Sequence, residues 1–440
     1  MRFVFSRRFY ILLAAGLLPL SVSWNSPNLT YAVFAYDLLL IGAALTDYFL
    51  SRALPAEFRM NREFEKRFAI GDKTKVSILV ENSSGRSIQL KIKDEYPPTM
   101  QLHESREAEF VVAPQGTAEF YYHVTPNKRG RYEFGRTAIR FLSRFGLVWC
   151  QTQLNESQSV KVYPNMRRAR EMELKALGAR SFLAIQRLAV RRGEGREFES
   201  MRDYVRGDEL RHISWTATAR RNKLTTRQYQ IERDQTVMIA IDAGRLMTGR
   251  IDDETKFDTA LHASLALMSA SARAGDNCGI VVFGRRIRKY LPPKRGLEHI
   301  DAVLEALHDL EPEMIEPSYA RAFQFIASNT KKRSFVVILT DLVDKDSSKE
   351  LINSLKLLRP RHLPLVATIG DRDLNAAVSH APAEIKDVFT QSAAEEIIHQ
   401  RESALRLVES LGGLALDVTA QTLAPKLLES YLRVKERGML

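Results

Sequence analysis

Four short runs in the C-terminal half, residues 237–241, 278–283, 335–339 and 365–369, are apolar at nearly every position. Amphipathic helical patterns separate them at 257–274, 297–310 and 347–358. A strand with one wet face alternates apolar and polar residues. A run that is apolar throughout must be buried on both faces, and parallel strands joined by crossover helices produce that pattern. Residues 235–440 are therefore predicted to form a doubly wound α/β domain, with helices at 395–411 and 422–434 around a short strand at 414–418. Such sheets bind ligands beyond the carboxyl ends of their strands. Asp242 closes the first strand and Asp341 follows the third, so both carboxylates are expected at that edge.

The N-terminus obeys a different constraint. Residues 9–24 and 31–50 are two apolar runs joined by a short polar link at 25–30, and the second is about long enough to cross a hydrocarbon core of roughly 30 Å. Residues 1–55 are predicted to be a membrane anchor of two transmembrane helices. A cleaved signal peptide is the alternative for the first run, although Trp24 and Asn25 lack a small-x-small cleavage pattern. Arg2, Arg7 and Arg8 precede the pair, and Arg52, Arg59, Arg62, Lys66 and Arg67 follow it. Positive flanks stay in the cytoplasm. The expectation is a bacterial inner membrane protein whose soluble domains face the cytoplasm. Asp37 and Asp47 lie within the second run, where a carboxylate either marks function or faces a partner helix or the headgroups. Two cysteines, Cys150 and Cys278, with no metal-ligand spacing around them fit a reducing compartment.

Residues 60–165 read as short β-runs separated by turn clusters such as Asn82-Ser-Ser-Gly85 and Pro114-Gln-Gly116. Val76, Ile78 and Val80 alternate onto one face, and further runs fall at 90–93, 109–112, 118–124, 132–134, 138–141 and 160–163. This spacing predicts an antiparallel β-sandwich-like domain. Lys128-Arg-Gly-Arg131 is either an anion contact or a solvated loop.

Residues 166–234 form a basic connector. The stretch 161–233 holds 18 Lys and Arg against 9 Asp and Glu, so it carries most of the net charge of +12. Within it, arginines alternate with acidic residues around Gly193, Gly195 and Gly207, the pattern of an ordered, charge-paired loop. Gly195, Phe198, Arg202, Tyr204, Gly207, Asp208, Arg211, Trp215 and Arg220 together resemble the signature of a bacterial family known as domain of unknown function 58. Asn82, Glu95-Tyr-Pro97, Arg129-Gly130-x-Tyr132, Phe145-Gly-Leu147 and Val162-Tyr-Pro164 extend the resemblance upstream, so that it covers nearly the whole chain. Ser143-Arg144 departs from the Asp-Pro pair common before the Phe-Gly-Leu. Arg202, Asp208, Arg211 and Trp215 are expected to organise the connector through ion pairs and one large buried aromatic.

Residues 235–440 also resemble a von Willebrand factor A-like domain, whose adhesion site holds a metal with Asp-x-Ser-x-Ser, a threonine and a later aspartate. Here the first element reads Asp242-Ala-Gly244-Arg245-Leu246, Asp341 matches the later carboxylate, and Ser318 or Thr340 is the candidate hydroxyl. Magnesium needs near-octahedral oxygen ligation. Gly244 and Leu246 supply none, which leaves Asp242 and Asp341 as the only candidate metal ligands and makes a metal-free face the expectation, with no obligatory cofactor. Asp242, Gly244, Arg245, Ser318, Thr340 and Asp341 are then the expected partner-binding face.

Nucleotide-binding, zinc-peptidase and serine-hydrolase motifs are all missing from the sequence, so no catalytic residues are assigned and a scaffold rather than an enzyme is expected. The resemblance implies work beside a MoxR-type AAA+ ATPase in the assembly or maturation of other proteins. Nucleic-acid or anionic-lipid binding through the connector, or an enzyme of unrecognised chemistry, is the alternative. Its interleaved acidic residues break up a uniform basic stripe, so no nucleic-acid partner is expected.

Overall fold

The structure, a computed structural model, describes residues 2–440 apart from 23–26, 52–53, 55–57, 66, 155–156, 168–170, 172–191, 206–207, 209, 231–234, 252–253, 343–344, 371 and 380–383. The chain divides into two units, Met1–Tyr163 and Pro164–Leu440.

The first unit opens with β1 (Arg2–Phe5), α1 (Arg7–Val22) and α2 (Pro27–Ser51). There follow β2 (Phe58–Phe64), β3 (Phe68–Ala69), β4 (Thr74–Asn82), β5 (Ile88–Lys93), β6 (Met100–Leu102) and β7 (Glu107–Val112). The unit ends with β8 (Gly116–Pro126), β9 (Gly130–Phe134), β10 (Thr137–Leu142), β11 (Val148–Leu154) and β12 (Gln158–Tyr163). They form sheets of order β1-β11-β10-β5-β7, β2-β4-β8-β6 and β3-β12-β9. The alternation in β4 puts Val76, Ile78 and Val80 into a shared core with Leu90, Ile92, Tyr122, Ile139 and Phe141. β2 escapes sequence reading because its inward row, Phe58, Met60, Arg62 and Phe64, contains an arginine. Arg62 is buried. Its Nε donates to Asp94 Oδ2 at 3.0 Å, and Asp94 also accepts from the Tyr122 hydroxyl at 2.6 Å and Thr137 Oγ1 at 2.7 Å. A buried charge persists only when paired and hydrogen-bonded in this way.

The helices α1 and α2 form a hairpin, tied where the Tyr36 hydroxyl donates to the Leu12 carbonyl at 3.1 Å. Two transmembrane helices were expected. Among the described residues only α2, with 25 residues, is long and apolar enough to cross a membrane. α1 has 16 residues and contains Pro19. At 1.5 Å per residue it spans only about 24 Å, short of a typical hydrocarbon core. The arginine-rich start is not a free flank either: β1 pairs antiparallel with β11, Arg2 opposite Gln151 and Phe5 opposite Val148. Both ends of the hairpin thus return to the same β-unit.

The second unit begins with a hairpin of β13 (Arg192–Asp203) and β14 (Thr225–Gln230), with α3 (Trp215–Arg221) between them. Among its described residues, 192–230 of the connector form a β-hairpin with a helical insert where a loop was expected. Next come β15 (Thr236–Asp242), a short antiparallel pair β16 (Arg250–Ile251) and β17 (Glu254–Thr255), α4 (Lys256–Arg273), β18 (Asn277–Phe283) and β19 (Ile287–Lys294). α5 (Glu298–Leu307), α6 (Tyr319–Asn329), β20 (Ser334–Thr340), α7 (Lys345–Leu358), β21 (Leu363–Gly370) and α8 (Arg372–Ser379) follow. The unit closes with α9 (Ile385–Ser410), β22 (Leu414–Thr419) and α10 (Leu423–Glu436).

One six-stranded sheet results, in order β19-β18-β15-β20-β21-β22, parallel except for β19. Met238, Ala240, Val281, Val336, Ile338 and Val366 face Tyr319, Phe323, Leu351, Leu355, Ala404 and Val408 of α6, α7 and α9. The alternate positions, among them Val237, Ile239, Val337 and Leu339, are equally buried and turn to the opposite face, where α4 and α10 lie. α4 starts with a capping box in which the Thr255 hydroxyl accepts from Asp258 N and the Asp258 carboxylate accepts from Thr255 N.

Candidate functional site at the carboxyl edge of the parallel sheet

β15 ends on Asp242 and β20 ends on Thr340, followed at once by Asp341. Because the two strands are neighbours and parallel, their last residues meet at one edge. Tyr319 reaches this edge from the first turn of α6, Lys256 from the first residue of α4, and Arg401 from the middle of α9.

Asp242 is 1% exposed. Its Oδ2 accepts from Thr340 Oγ1 at 2.7 Å and from the Tyr319 hydroxyl at 3.2 Å, while Oδ1 accepts from Gly244 N at 2.7 Å. Burial pushes this carboxyl up to about 6, against the pull of the Thr340, Gly244 and Tyr319 donors, and the nearby Asp341 charge adds to the rise. Asp341 is fully buried and takes two cations. Lys256 Nζ lies 2.5 Å from its Oδ2 and Arg401 Nη2 lies 2.8 Å from its Oδ1, which also accepts from Leu342 N at 2.8 Å. Arg401 further donates from Nε to the Leu342 carbonyl at 3.1 Å. Lys256 sits where a helix presents its positive end, an unfavourable place for an ammonium. The Asp341 carboxylate offsets that cost.

This donor set does not fit magnesium. Each carboxylate already accepts three bonds, and two side-chain cations occupy the space where a metal would bring its charge. Among the described residues no cluster of three or more His, Cys, Asp and Glu is arranged to hold a metal ion.

The expected partner-binding residues separate into two groups. Asp242, Gly244, Thr340 and Asp341 are buried, whereas Arg245 is exposed and Ser318 half-buried. At the surface this edge shows Arg245 and part of Ser318, and the two aspartates lie beneath. Arg245 forms an ion pair through Nε with Glu316, and its backbone N–H donates to the Ile315 carbonyl at 2.8 Å. Ser318 contributes no hydroxyl to Asp242; it precedes α6, and its Oγ lies 3.5 Å from Glu350. Of the two candidate hydroxyls it is Thr340 that reaches Asp242, and Tyr319, which follows Ser318, adds a second. Gly244 has a structural reason: a Cβ there would lie 2.7 Å from Pro317 Cδ and 2.9 Å from the Ile315 carbonyl. The 311–318 loop is laid directly over the backbone at the position where the adhesion-site pattern has its first serine.

In the connector, Gly195 and Phe198 lie in β13, with Phe198 opposite Tyr229. Arg202 pairs with Asp208 at 2.7 Å, as expected, and Asp208 also accepts from Val205 N at 3.1 Å. The Val205 N–H and then the Arg202 guanidinium hold the Asp208 carboxyl below the usual range. Arg211 falls in a short 3-10 turn, Leu210–His212, Tyr204 is half-buried and Arg220 exposed. Gly207 lies outside the described residues. Trp215 contradicts the expectation of a buried aromatic: it opens α3 and is 68% exposed.

Sequence reading missed Tyr319, Lys256 and Arg401. Their signals are faint. Lys256 lies inside the Thr255-x-x-Asp258 capping pattern at a place that disfavours a cation, and Arg401 interrupts the inward stripe of α9 between Ala394 and Ala404.

Comparison with known proteins finds distant similarities. The chain is 23% identical over 223 residues to an uncharacterised protein of Mycobacterium bovis and, to the same extent, to one of Mycobacterium tuberculosis, covering 46% of this chain and 69% of each relative. The crystal structure of the conserved hypothetical protein BatB from Bacteroides thetaiotaomicron is similar at 13% identity and a TM-score of 0.31, covering 46% of this chain and 99% of that one. The family match is narrower than the near-complete span expected, starting after Gly195 and Phe198 and taking in the rest of the motif and the strand-edge residues: residues 200–404 match the family described as Protein of unknown function DUF58.

Proposed function

We propose that this chain is a membrane-anchored adaptor that binds a protein partner at the carboxyl edge of its parallel sheet, with no metal in the contact. The observation that carries the reading is an apolar stripe beside that edge. Helix α9 is held at Arg401 by Asp341, and its N-terminal half leaves the sheet with Ile385, Val388 and Phe389 exposed at 79%, 49% and 73%. Positions i, i+3 and i+4 lie on one helix face, the arrangement by which an amphipathic helix enters a partner's groove. Exposed Arg245 and Trp215 add the residue types that anchor protein interfaces.

The reading assigns binding rather than turnover, since the carboxylates at this edge are already saturated by internal donors. A von Willebrand factor A-like adaptor role, working with a MoxR-type AAA+ ATPase on the cytoplasmic face of the inner membrane, is the specific form proposed. The arginine bias on both sides of the helical hairpin supports that orientation. The test is binding of a purified MoxR-type ATPase to the detergent-solubilised full chain. Binding that survives chelation and is lost in Phe389→Asp supports the reading. Binding unaffected by Phe389→Asp and by Arg245→Glu removes this face from it. An alkaline phosphatase fusion active after Phe58 would place the β-unit outside and exclude a cytoplasmic ATPase.

A further inference from the structure

The turn between β10 and β11 is fastened to the ends of both N-terminal helices. Asp47, buried in the last turns of α2, accepts from Phe145 N at 3.0 Å, Leu147 N at 3.1 Å and the Ser143 hydroxyl. Ser51, the last residue of α2, accepts from Arg144 N at 2.9 Å. From the other helix, Ser6 donates from Oγ to the Gly146 carbonyl at 2.6 Å and from N to the Leu147 carbonyl at 2.9 Å, while its Oγ accepts from Phe9 N at the start of α1. Gly146 has φ +78°, and a side chain there would run into the Arg8 guanidinium. So many bonds fix the height of this turn relative to the apolar helix pair.

That height coincides with a ring of aromatic and basic residues. Phe3, Phe5, Phe9, Tyr10, Tyr48 and Phe49 make successive ring contacts around the helix ends; Phe9 is buried, Phe5 and Tyr48 pack against the core, and Phe3, Tyr10 and Phe49 are exposed. Phe145, at the tip of the turn, is 61% exposed although its own backbone N–H is tied down, and Arg7, Arg8 and Arg144 are exposed beside it. Aromatic rings and arginines at the end of an apolar span are the composition of a membrane–water interface. A bulky side chain kept outward by a rigid turn, with cations around it, matches a surface of acyl chains below and phosphates above.

The geometry points to the 143–148 turn as a second membrane contact of the β-unit: Phe145 seats at the boundary of acyl chains and headgroups, and Arg144 meets anionic headgroups. This inference rests on the reading of α2 as a membrane span. It makes the β-unit a body pressed against the bilayer.

The experiment uses the full chain in nanodiscs of phosphatidylcholine and phosphatidylglycerol. Cys150 and Cys278 are buried. An environment-sensitive fluorophore can therefore be attached selectively in Phe145→Cys, in Leu38→Cys within α2, and in Ser105→Cys, an exposed position before β7 at the opposite end of the sheet, where Lys93 pairs with Glu107 and Ala138. Spin-labelled lipids with the quencher shallow or deep are then added. We expect the label at 145 to emit at shorter wavelength than that at 105 and to be quenched by the shallow lipid more than the deep one, with Arg144→Glu diminishing that quenching. Quenching at 38 by the deep lipid, with the label at 145 indistinguishable from that at 105, overturns the contact while leaving the span intact. No quenching at 38 instead overturns the span, and the contact with it.

Discussion

Arg401 of helix α9 and Lys256 of helix α4 share the carboxylate of Asp341, at 2.8 and 2.5 Å on its two oxygens. Two elements from opposite faces of the sheet are thus joined through one buried acid. Removing Arg401 leaves Asp341 paired with Lys256 but takes a charged donor from its other oxygen and from the Leu342 carbonyl. Arg401→Met is expected to destabilise the chain by about 1–3 kcal/mol, as read by chemical denaturation of the detergent-solubilised protein. A loss under about 1 kcal/mol contradicts the arrangement.

Metal binding follows from the same cluster. Calorimetry with magnesium or manganese should detect no specific uptake by the wild-type chain, because Lys256 and Arg401 supply the positive charge internally. Saturable uptake that disappears in Asp242→Ala contradicts this.

The Asp242 carboxyl, lifted to about 6 by burial, makes stability depend on pH. Its folded value lies above the roughly 3.9 of an unfolded aspartate. The folded state therefore binds the proton more tightly, so the contribution of this group is fully present below about pH 4 and is lost as pH rises through about 6. Asp242→Asn does not titrate. The stability of the wild type relative to this variant should fall by roughly 2 kcal/mol between about pH 4 and pH 7.5. A difference that stays flat over that window counts against a buried, proton-binding Asp242.

Gly244→Ser restores the first serine of the adhesion-site pattern but places its Cβ within 2.7 Å of Pro317 and 2.9 Å of the Ile315 carbonyl. The variant should melt at a lower temperature, by an overpacking cost of about 1–3 kcal/mol, and gain no metal affinity. A serine variant as stable as the wild type means the 311–318 loop moves freely.

Trp215, 68% exposed, should be replaceable by alanine with a change in folding stability of at most about 0.5 kcal/mol. Under the proposed function, the same substitution weakens partner binding. A large drop in melting temperature would show instead that this ring is covered.

The parallel sheet was legible because burial on both faces leaves short, uniformly apolar runs, and here amphipathic helical patterns separate them. The antiparallel sheets were legible where alternation was clean, as in β4, and lost where the core took a charge, as at Arg62 in β2. Site chemistry was harder for a related reason. Asp242, Thr340 and Asp341 announce themselves at strand ends, but the groups that satisfy them arrive from residues 256, 319 and 401. Which donor meets which acid is decided by crossover geometry, and local spacing carries no trace of it. Trp215 misled because a large aromatic in a charged segment reads equally well as an anchor turned inward or a contact turned out.

The pairing of β1 with β11 sets an order of events during synthesis. Arg2 leaves the ribosome long before Gln151, its partner across the sheet, and both helices are made in the interval. At about 5–20 residues per second the wait is on the order of ten seconds. Strand β11 in turn has one edge open until β1 arrives, and an open edge is a template for the wrong chain. A chain shortened by its first six residues would keep that edge exposed, and is expected to be lost to self-association even where the rest of the sandwich folds.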